Sequence, residues 1–163
     1  SEVRLAGLNT NDFANGQGVC VSLFVQAAHN TPLPGCFNPE TWDFKGGEPL
    51  PTDIRGQIIK AICANDIIRN FSVLGGEPLC EENLDEVDKI ITGVRSALPH
   101  IKIFLWTGYI LEELQKKNDK KINHILSQID VLIDGPFIEA ERDITLELRG
   151  SKNQRVLYRG IDF

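Results

Sequence analysis

With 163 residues, 42% of them hydrophobic and 25% charged, the chain has an ordinary globular composition and the length of one domain. Its formal net charge of −6 argues against a dedicated nucleic-acid-binding protein, because no excess of lysine and arginine is available to neutralise phosphates. No apolar run approaches the ~20 residues of a membrane span, and the N-terminus lacks a signal-peptide pattern. The sequence therefore predicts a cytoplasmic protein of one domain, with neither nucleic acid nor membrane among its partners.

Apolar patterns along the chain predict alternating strands and helices. The first clear strand is Val19 to Val25, a nearly continuous apolar run of the kind that is buried in a parallel sheet. A long irregular stretch from Gln26 to Pro51 follows, and after it come a helix with Ile54, Ile58 and Ile62 on one face and a strand from Phe71 to Leu74. The next helix runs from Asn83 to Leu98 and opens with a capping box of Asn83 and Glu86, and a strand from Ile101 to Trp106 follows it. The remaining predicted elements are a helical segment from about Ile110 to Gln128, a strand from Val131 to Ile133, and edge strands around Leu146 to Leu148 and Val156 to Tyr158.

This alternation implies parallel strands joined by right-handed crossovers. The chain is too short for a complete eight-unit barrel of about 250 residues, so the predicted architecture is α/β with a partial or open parallel barrel. Ligands in such folds bind beyond the C-terminal ends of the strands. Polar and glycine-containing motifs follow Val25, Leu74, Trp106 and Ile133, so the sequence predicts one active-site face there.

The most informative of these motifs is Gly75-Gly76-Glu77-Pro78, which directly follows a predicted strand. Two glycines let the backbone turn sharply and approach a ligand closely, and Glu77 can accept hydrogen bonds from a ligand's ammonium group. The alternative is an ordinary turn with an exposed glutamate. The spacing alone does not decide between these two interpretations.

Three further segments have both a structural and a functional interpretation. Thr107-Gly108 and Asp134-Gly135-Pro136 end predicted strands and can be simple turns, although an ionised Asp134 at the mouth of a sheet needs a partner or solvent. Residues Arg149 to Arg155 can form a hairpin loop or a surface for an acidic partner or phosphate. The four cysteines are irregularly spaced and are expected to be free thiols or metal ligands, with Cys63 buried in a helix.

Taken together and in order, these motifs resemble the activating proteins of anaerobic (class III) ribonucleotide reductase, which are radical S-adenosylmethionine (SAM) proteins. The matching segments cover nearly the whole chain and are Asn15-Gly16 with Gly18, Ser22 to Gln26, Pro34 to Trp42, Gly75 to Leu79, Leu105 to Tyr109, Ile129 to Phe137, and Arg149 to Arg155.

The resemblance implies a partial barrel of the radical SAM type and a [4Fe-4S] cluster held by three cysteines of a CxxxCxxC motif. The fourth iron of such a cluster chelates the amino and carboxylate groups of SAM. One-electron reduction, from a donor such as flavodoxin, then cleaves SAM to methionine and a 5′-deoxyadenosyl radical. That radical abstracts hydrogen from a glycine of the reductase catalytic subunit, which makes the chain a glycyl-radical-activating oxidoreductase by resemblance.

The resemblance also assigns residues and boundaries within one radical-SAM-like domain, residues 1–163. Residues 26–51 correspond to the cluster-binding loop, which we expect not to order without a cluster. Cys36 corresponds to a cluster ligand. The residues implied in binding SAM are Asn38, Gly75, Gly76, Glu77, Pro78, Thr107 and Asp134.

The sequence departs from the family pattern at the cluster motif. Ala27-Ala28 stand where the family has Gly-Cys, the middle cysteine is missing from residues 29–35, and the segment is one residue longer than usual. Only Cys36 survives, and Cys80 is the one other cysteine expected nearby. The chain can be an altered form of an active enzyme, an inactive relative that binds the reductase or a nucleotide, or an imperfect representation of the functional sequence. A metal-independent SAM-binding protein is a further alternative.

Overall fold

A computed structural model describes residues 4–26, 48–49 and 53–163. Its strands are β1 Arg4–Asp12, β2 Cys20–Val25, β3 Glu48–Pro49, β4 Asn70–Gly75, β5 Ile103–Trp106, β6 Val131–Asp134 and β7 Arg155–Tyr158. Its α-helices are α1 Ile54–Ile62, α2 Glu81–Ala97, α3 Leu111–Lys117 and α4 Lys120–Gln128. In this part of the chain no helix is long and apolar enough to cross a membrane.

The strands form one seven-stranded sheet in the order β3-β1-β2-β4-β5-β6-β7. The four central strands are parallel, whereas β1, β3 and β7 pair antiparallel at the sides. Among the described residues the sheet ends at β3 on one side and at β7 on the other, and these two strands do not pair with each other. The predicted α/β class and parallel centre are therefore confirmed, with additional antiparallel strands on both sides.

The parallel strands give the sheet two distinct ends, a carboxyl edge and an amino edge. The carboxyl edge is the end at which these strands finish, at Val25, Gly75, Trp106 and Asp134. The amino edge is the end at which they begin, at Cys20, Asn70, Ile103 and Val131. Because ligands of open α/β sheets bind beyond the carboxyl ends of the strands, the carboxyl edge is the place to search for a site.

The helices cover one face of the sheet because their apolar residues repeat at helical spacing. In α1, Ile54, Ile58 and Ile62 are buried, as the sequence predicted. They join one core with alternate residues of the central strands, including Val73 and Leu105. Each such side chain contributes about 2 kcal/mol by leaving water, so this core fixes the strands that carry the carboxyl edge.

The opposite face of the sheet is covered by loop segments. Phe104, Val131 and Ile133 are buried there, and Leu148 packs against them. The Trp106 indole Nε1 donates a hydrogen bond of 2.7 Å to the Leu148 carbonyl oxygen. The prediction of a strand around Leu146 to Leu148 is wrong, because this segment crosses the face without a strand partner and Leu148 has a left-handed backbone with φ of 65°.

Two other elements differ from the sequence-based expectation. The predicted helical segment from Ile110 to Gln128 is two helices, since Asn118 turns the backbone with φ of 46°. The Asp119 carboxylate then caps α4 by accepting hydrogen bonds from the backbone N–H groups of Lys121 and Ile122. The predicted capping box of Asn83 and Glu86 is also wrong, because α2 begins at Glu81 and both residues lie inside it.

Several predicted features lie outside the described residues. Cys36 and Asn38 are among them, as is the predicted cluster-binding loop 26–51 apart from residues 26, 48 and 49. The expectation about the order of that loop therefore stays a prediction.

Candidate functional site

The turn after β4 brings the backbone into close contact with β2. Gly75 has φ of 106°, and a Cβ atom on it would lie 2.5 Å from the Val25 carbonyl oxygen and 2.7 Å from the Val25 nitrogen. The next residue, Gly76, donates its backbone N–H to the same Val25 oxygen at 2.6 Å. Only glycine fits at position 75, where the turn packs directly against the backbone of β2, and the predicted approach of the Gly-Gly pair to a ligand stays a prediction.

Glu77 connects the turn after β4 to the turn after β5. Its Oε2 accepts hydrogen bonds from the Leu79 backbone N–H and the Thr107 hydroxyl, both at 2.9 Å. Its Oε1 accepts one from the Gly108 backbone N–H at 2.6 Å. Two carboxylate oxygens offer about four acceptor positions, so among the described residues one position on Oε1 is left for a further donor.

The environment of Glu77 is apolar enough to perturb its titration. Burial raises the pKa of the Glu77 carboxyl above its ordinary value, although the hydrogen bonds from Leu79, Gly108 and Thr107 act in the opposite direction. Lys117 also lowers this pKa by its charge. A cationic donor placed on the remaining acceptor position would stabilise the ionised carboxylate further.

Asn83 fixes the turn that carries Glu77. Its side chain is 4% exposed, and its amide Nδ2 donates to the Gln26 carbonyl oxygen at 3.0 Å and to the Glu77 carbonyl oxygen at 2.9 Å. One buried side chain therefore links the end of β2, the turn after β4 and the first turn of α2. This role was not predicted from the sequence, although the spacing of Asn83 from Val87 and Ile90 is that of residues on one buried helix face.

We predict that Asn83→Ala lowers the free energy of unfolding by about 2 kcal/mol, because it leaves two carbonyl oxygens at the carboxyl edge without their donor. Urea unfolding followed by circular dichroism measures this change. Asn123→Ala is the matched control, since Asn123 is an exposed helical residue whose side chain bonds only to Asn118 Oδ1 in the described structure. Equal effects of the two substitutions would contradict the linking role of Asn83.

Thr107 and Asp134 are buried residues that follow or end neighbouring strands. The Thr107 hydroxyl donates to Glu77 and accepts the Tyr109 backbone N–H at 3.2 Å, so Thr107 belongs to the turn that supports Glu77. Asp134 Oδ2 accepts the Leu111 backbone N–H at 2.8 Å, and Arg155 donates to both carboxylate oxygens at 3.0 and 2.5 Å. The partner that an ionised Asp134 needs is therefore Arg155.

The segment Arg149 to Arg155 is tied to the strand-end turn after Asp134. The Gln154 side chain donates to the Gly135 carbonyl oxygen at 3.0 Å, and the Asn153 side chain donates to the Pro136 carbonyl oxygen at 2.7 Å. The interpretation as a hairpin loop between two strands is wrong, because only Arg155–Tyr158 is a strand. These contacts give the polar residues of the segment a structural role at the carboxyl edge.

The three cysteines that the structure describes are free thiols, but only one of them lies near this turn. Cys80 is buried at the start of α2, directly after Leu79. Cys20 is buried at the first position of β2, at the amino edge. The prediction that Cys63 is buried in a helix is wrong, since Cys63 is exposed and caps the C-terminal end of α1.

Comparison with known proteins identifies the type of protein that shares this arrangement. A family model described as a 4Fe-4S single cluster domain matches residues 14–157. The chain is 35% identical over 146 residues to the anaerobic ribonucleoside-triphosphate reductase-activating protein of Escherichia coli (strain K12), covering 89% of this chain and 92% of that protein. No solved structure gives a significant match.

Proteins with the same name from two other sources are similar to this chain. The protein of Vibrio cholerae is 37% identical over 144 residues, covering 88% of this chain and 90% of the relative. The protein of Enterobacteria phage T4 is 31% identical over 147 residues, covering 89% of this chain and 87% of the relative. The similarity extends over almost the full length of each protein.

Proposed function

Because this chain belongs to the family of the anaerobic ribonucleoside-triphosphate reductase-activating proteins, we propose that it is the activating partner of such a reductase and binds SAM at its carboxyl edge. The observation that supports this most directly is the Gly75-Gly76-Glu77 turn. Its carboxylate is held by three donors and has one acceptor position left, which suits the ammonium group of an amino acid.

The proposed binding mode uses the amino-acid end of SAM. Its ammonium group donates to Glu77 Oε1, while Gly75, Gly76 and Pro78 let the ligand approach the backbone. Thr107 supports the carboxylate from the next strand, and the family resemblance assigns Asn38 to the same ligand. Asp134 acts at the neighbouring strand end, where Arg155 donates hydrogen bonds to both of its carboxylate oxygens.

The finer architecture that we propose is a partial barrel of the radical SAM type, formed by one domain of residues 1–163. The helices cover one face of the sheet, and on the other face Ser22 and Phe24 of β2 and Ser72 of β4 are also buried. Ser22 lies on that other face, and its buried hydroxyl has no hydrogen-bond partner among the described residues. We further propose a cytoplasmic location and an electron donor such as flavodoxin, as in the family that the sequence resembles.

The partnership is tested by biolayer interferometry between this chain and the anaerobic reductase catalytic subunit of the same organism, under anaerobic conditions. We expect saturable binding with a dissociation constant in the micromolar range or below, as is usual for a specific enzyme partner. The matched controls are an aerobic reductase subunit and an unrelated α/β protein of similar size and charge. Binding no stronger than that of the controls would refute the partnership.

We predict that Glu77→Gln weakens SAM binding about tenfold or more, because an amide cannot accept from all three donors and carries no charge for the ligand's ammonium group. Equilibrium dialysis with labelled SAM at millimolar concentration measures the affinity. Glu113→Gln is the control, since Glu113 is an exposed carboxylate on α3. If both variants and the unchanged chain bind SAM equally, the proposed ligand site is wrong.

A further inference from the structure

The placement of the thiols bears on whether this chain can hold the cluster of its family. Iron–sulfur clusters are held by cysteine thiolates, and the family pattern uses three at one site. The chain contains four cysteines in total, namely Cys20, Cys36, Cys63 and Cys80. The structure fixes the positions of all of these except Cys36.

Cys20 cannot contribute at the carboxyl edge because it lies at the opposite end of its strand. It pairs with Asn70 at the start of β4, whereas Val25 pairs with Gly75 at the end. At about 3.3 Å per residue, these two ends of β2 are roughly 17 Å apart. The Cys20 thiol is also packed inside the protein, and burial raises its pKa above the ordinary value.

Cys63 is excluded from the carboxyl edge by the direction of α1. The helix runs from the carboxyl side back towards the amino edge, and Cys63 follows its last residue, Ile62. The Ile62 carbonyl oxygen accepts the backbone N–H of Arg69 at 3.0 Å, directly before Asn70 starts β4. Cys63 therefore lies beside the amino edge.

Cys80 lies on the correct side, but its surroundings favour the neutral thiol. It follows the Gly75 to Leu79 turn and is 7% exposed. Burial raises the pKa of the Cys80 thiol, and the charges of Glu82 and Glu77 raise it further. Cys80 is thus a single buried thiol on the carboxyl side of the sheet, fewer than the three that the family pattern uses.

The described residues thus supply one thiol at the carboxyl edge, and the sequence adds only Cys36. Among residues 4–26, 48–49 and 53–163, no group of three or more His, Cys, Asp or Glu side chains could hold a metal ion. We infer that this chain does not by itself form the [4Fe-4S] cluster of its family.

This inference rests on the proposed function for the identity of the partner and the ligand, but not for the iron content. Reductive cleavage of SAM needs one electron delivered to the sulfonium, which breaks the bond between sulfur and the 5′ carbon. Without a cluster the chain has no group to deliver that electron. We therefore expect no 5′-deoxyadenosine from this chain with dithionite as reductant.

The test restores the missing thiols in a matched pair of variants. A28C/L33C with Pro32 deleted recreates the CxxxCxxC spacing that ends at Cys36, and A28S/L33S with Pro32 deleted has the same loop length without the thiols. Each protein is reconstituted anaerobically with iron and sulfide, and both elements are then measured per chain. We expect about four irons in the cysteine variant and at least a roughly fivefold lower content in the unchanged chain and the serine variant.

Two outcomes would overturn the inference. About four irons and four sulfides bound to the unchanged chain would show that other groups replace the lost thiolates. An iron-free cysteine variant would show that the loss of thiols is not the reason for cluster loss. The interferometry experiment separates this inference from the proposed function, because an iron-free chain that fails to bind the reductase refutes the partnership and leaves the inference intact.

Discussion

Replacing Gly75 by alanine is expected to lower the free energy of unfolding by about 4 kcal/mol, which is at the upper limit for a single substitution. The new Cβ atom would lie 2.5 Å from the Val25 carbonyl oxygen, and that neighbour is backbone that cannot rotate away. The φ of 106° adds strain for any residue with a side chain. Urea unfolding monitored by circular dichroism measures the loss.

Gly56→Ala is the matched control for this prediction. Gly56 lies inside α1 and has no left-handed backbone, and a Cβ atom on it would meet nothing within 4 Å outside the backbone of its own helix. Alanine is the better helix former, so Gly56→Ala is expected to raise stability by about 0.5–1 kcal/mol. If Gly75→Ala is as well tolerated as Gly56→Ala, the close contact between the turn and β2 does not exist in solution.

Removing Arg155 is the second change with a large expected effect. Arg155→Ala is predicted to cost about 3 kcal/mol, because it leaves the Asp134 carboxylate, 1% exposed, without its charged partner. The same arginine also pairs with Glu112 at 2.6 Å, but the Glu112 side chain is 60% exposed. Glu112→Ala should therefore cost clearly less stability than Arg155→Ala.

Thermal and urea unfolding of the two variants distinguish these contributions. The structure predicts that Asp134→Asn partly rescues Arg155→Ala, because it removes the buried charge while keeping an oxygen that accepts the Leu111 backbone N–H. If Arg155→Ala and Glu112→Ala cost equal stability, or if Asp134→Asn gives no rescue, the Arg155–Asp134 pair does not contribute more to stability than the Arg155–Glu112 pair.

The central strands and helices could be predicted because their signals are local. The run before Gln26 is nearly continuously apolar, and Ile54, Ile58 and Ile62 repeat at one helical turn. Such patterns reflect burial on one or both faces of an element, which depends little on what the element packs against. The order of these elements then implied parallel pairing, which the sheet confirms.

The peripheral elements could not be predicted because they depend on partners distant in the sequence. β1 is a strand because Arg4–Asp12 pairs with β2, not because its residues form an apolar run. Leu146 to Leu148 has an alternating pattern. In the structure, however, the Trp106 indole N–H donates a hydrogen bond to the Leu148 carbonyl oxygen, and none of the described strands pairs with the segment. Tertiary contacts decided both cases against local preference.

In the candidate site, too, the features with a local signal could be predicted and the contacts between distant residues could not. The glycines and Glu77 were recognisable because a strand runs directly into them, and Thr107 follows a neighbouring strand. Two of the three contacts that hold Glu77 join residues about 30 positions apart, and the Arg155 to Asp134 pair spans 21 positions. No pattern within one segment encodes such pairs, so Asn83 and Arg155 emerge as site-supporting residues only from the three-dimensional arrangement.

The most direct test of the central claim is the glycyl-radical signal of the partner reductase, measured by electron paramagnetic resonance after anaerobic incubation with SAM, a reductant and either form of the chain. We predict no radical with the unchanged chain and a clear radical with A28C/L33C lacking Pro32, which combines the activating scaffold with a complete set of thiols. A radical produced by the unchanged chain would contradict the loss of the cluster. No radical from either protein would contradict the assignment of this scaffold to reductase activation.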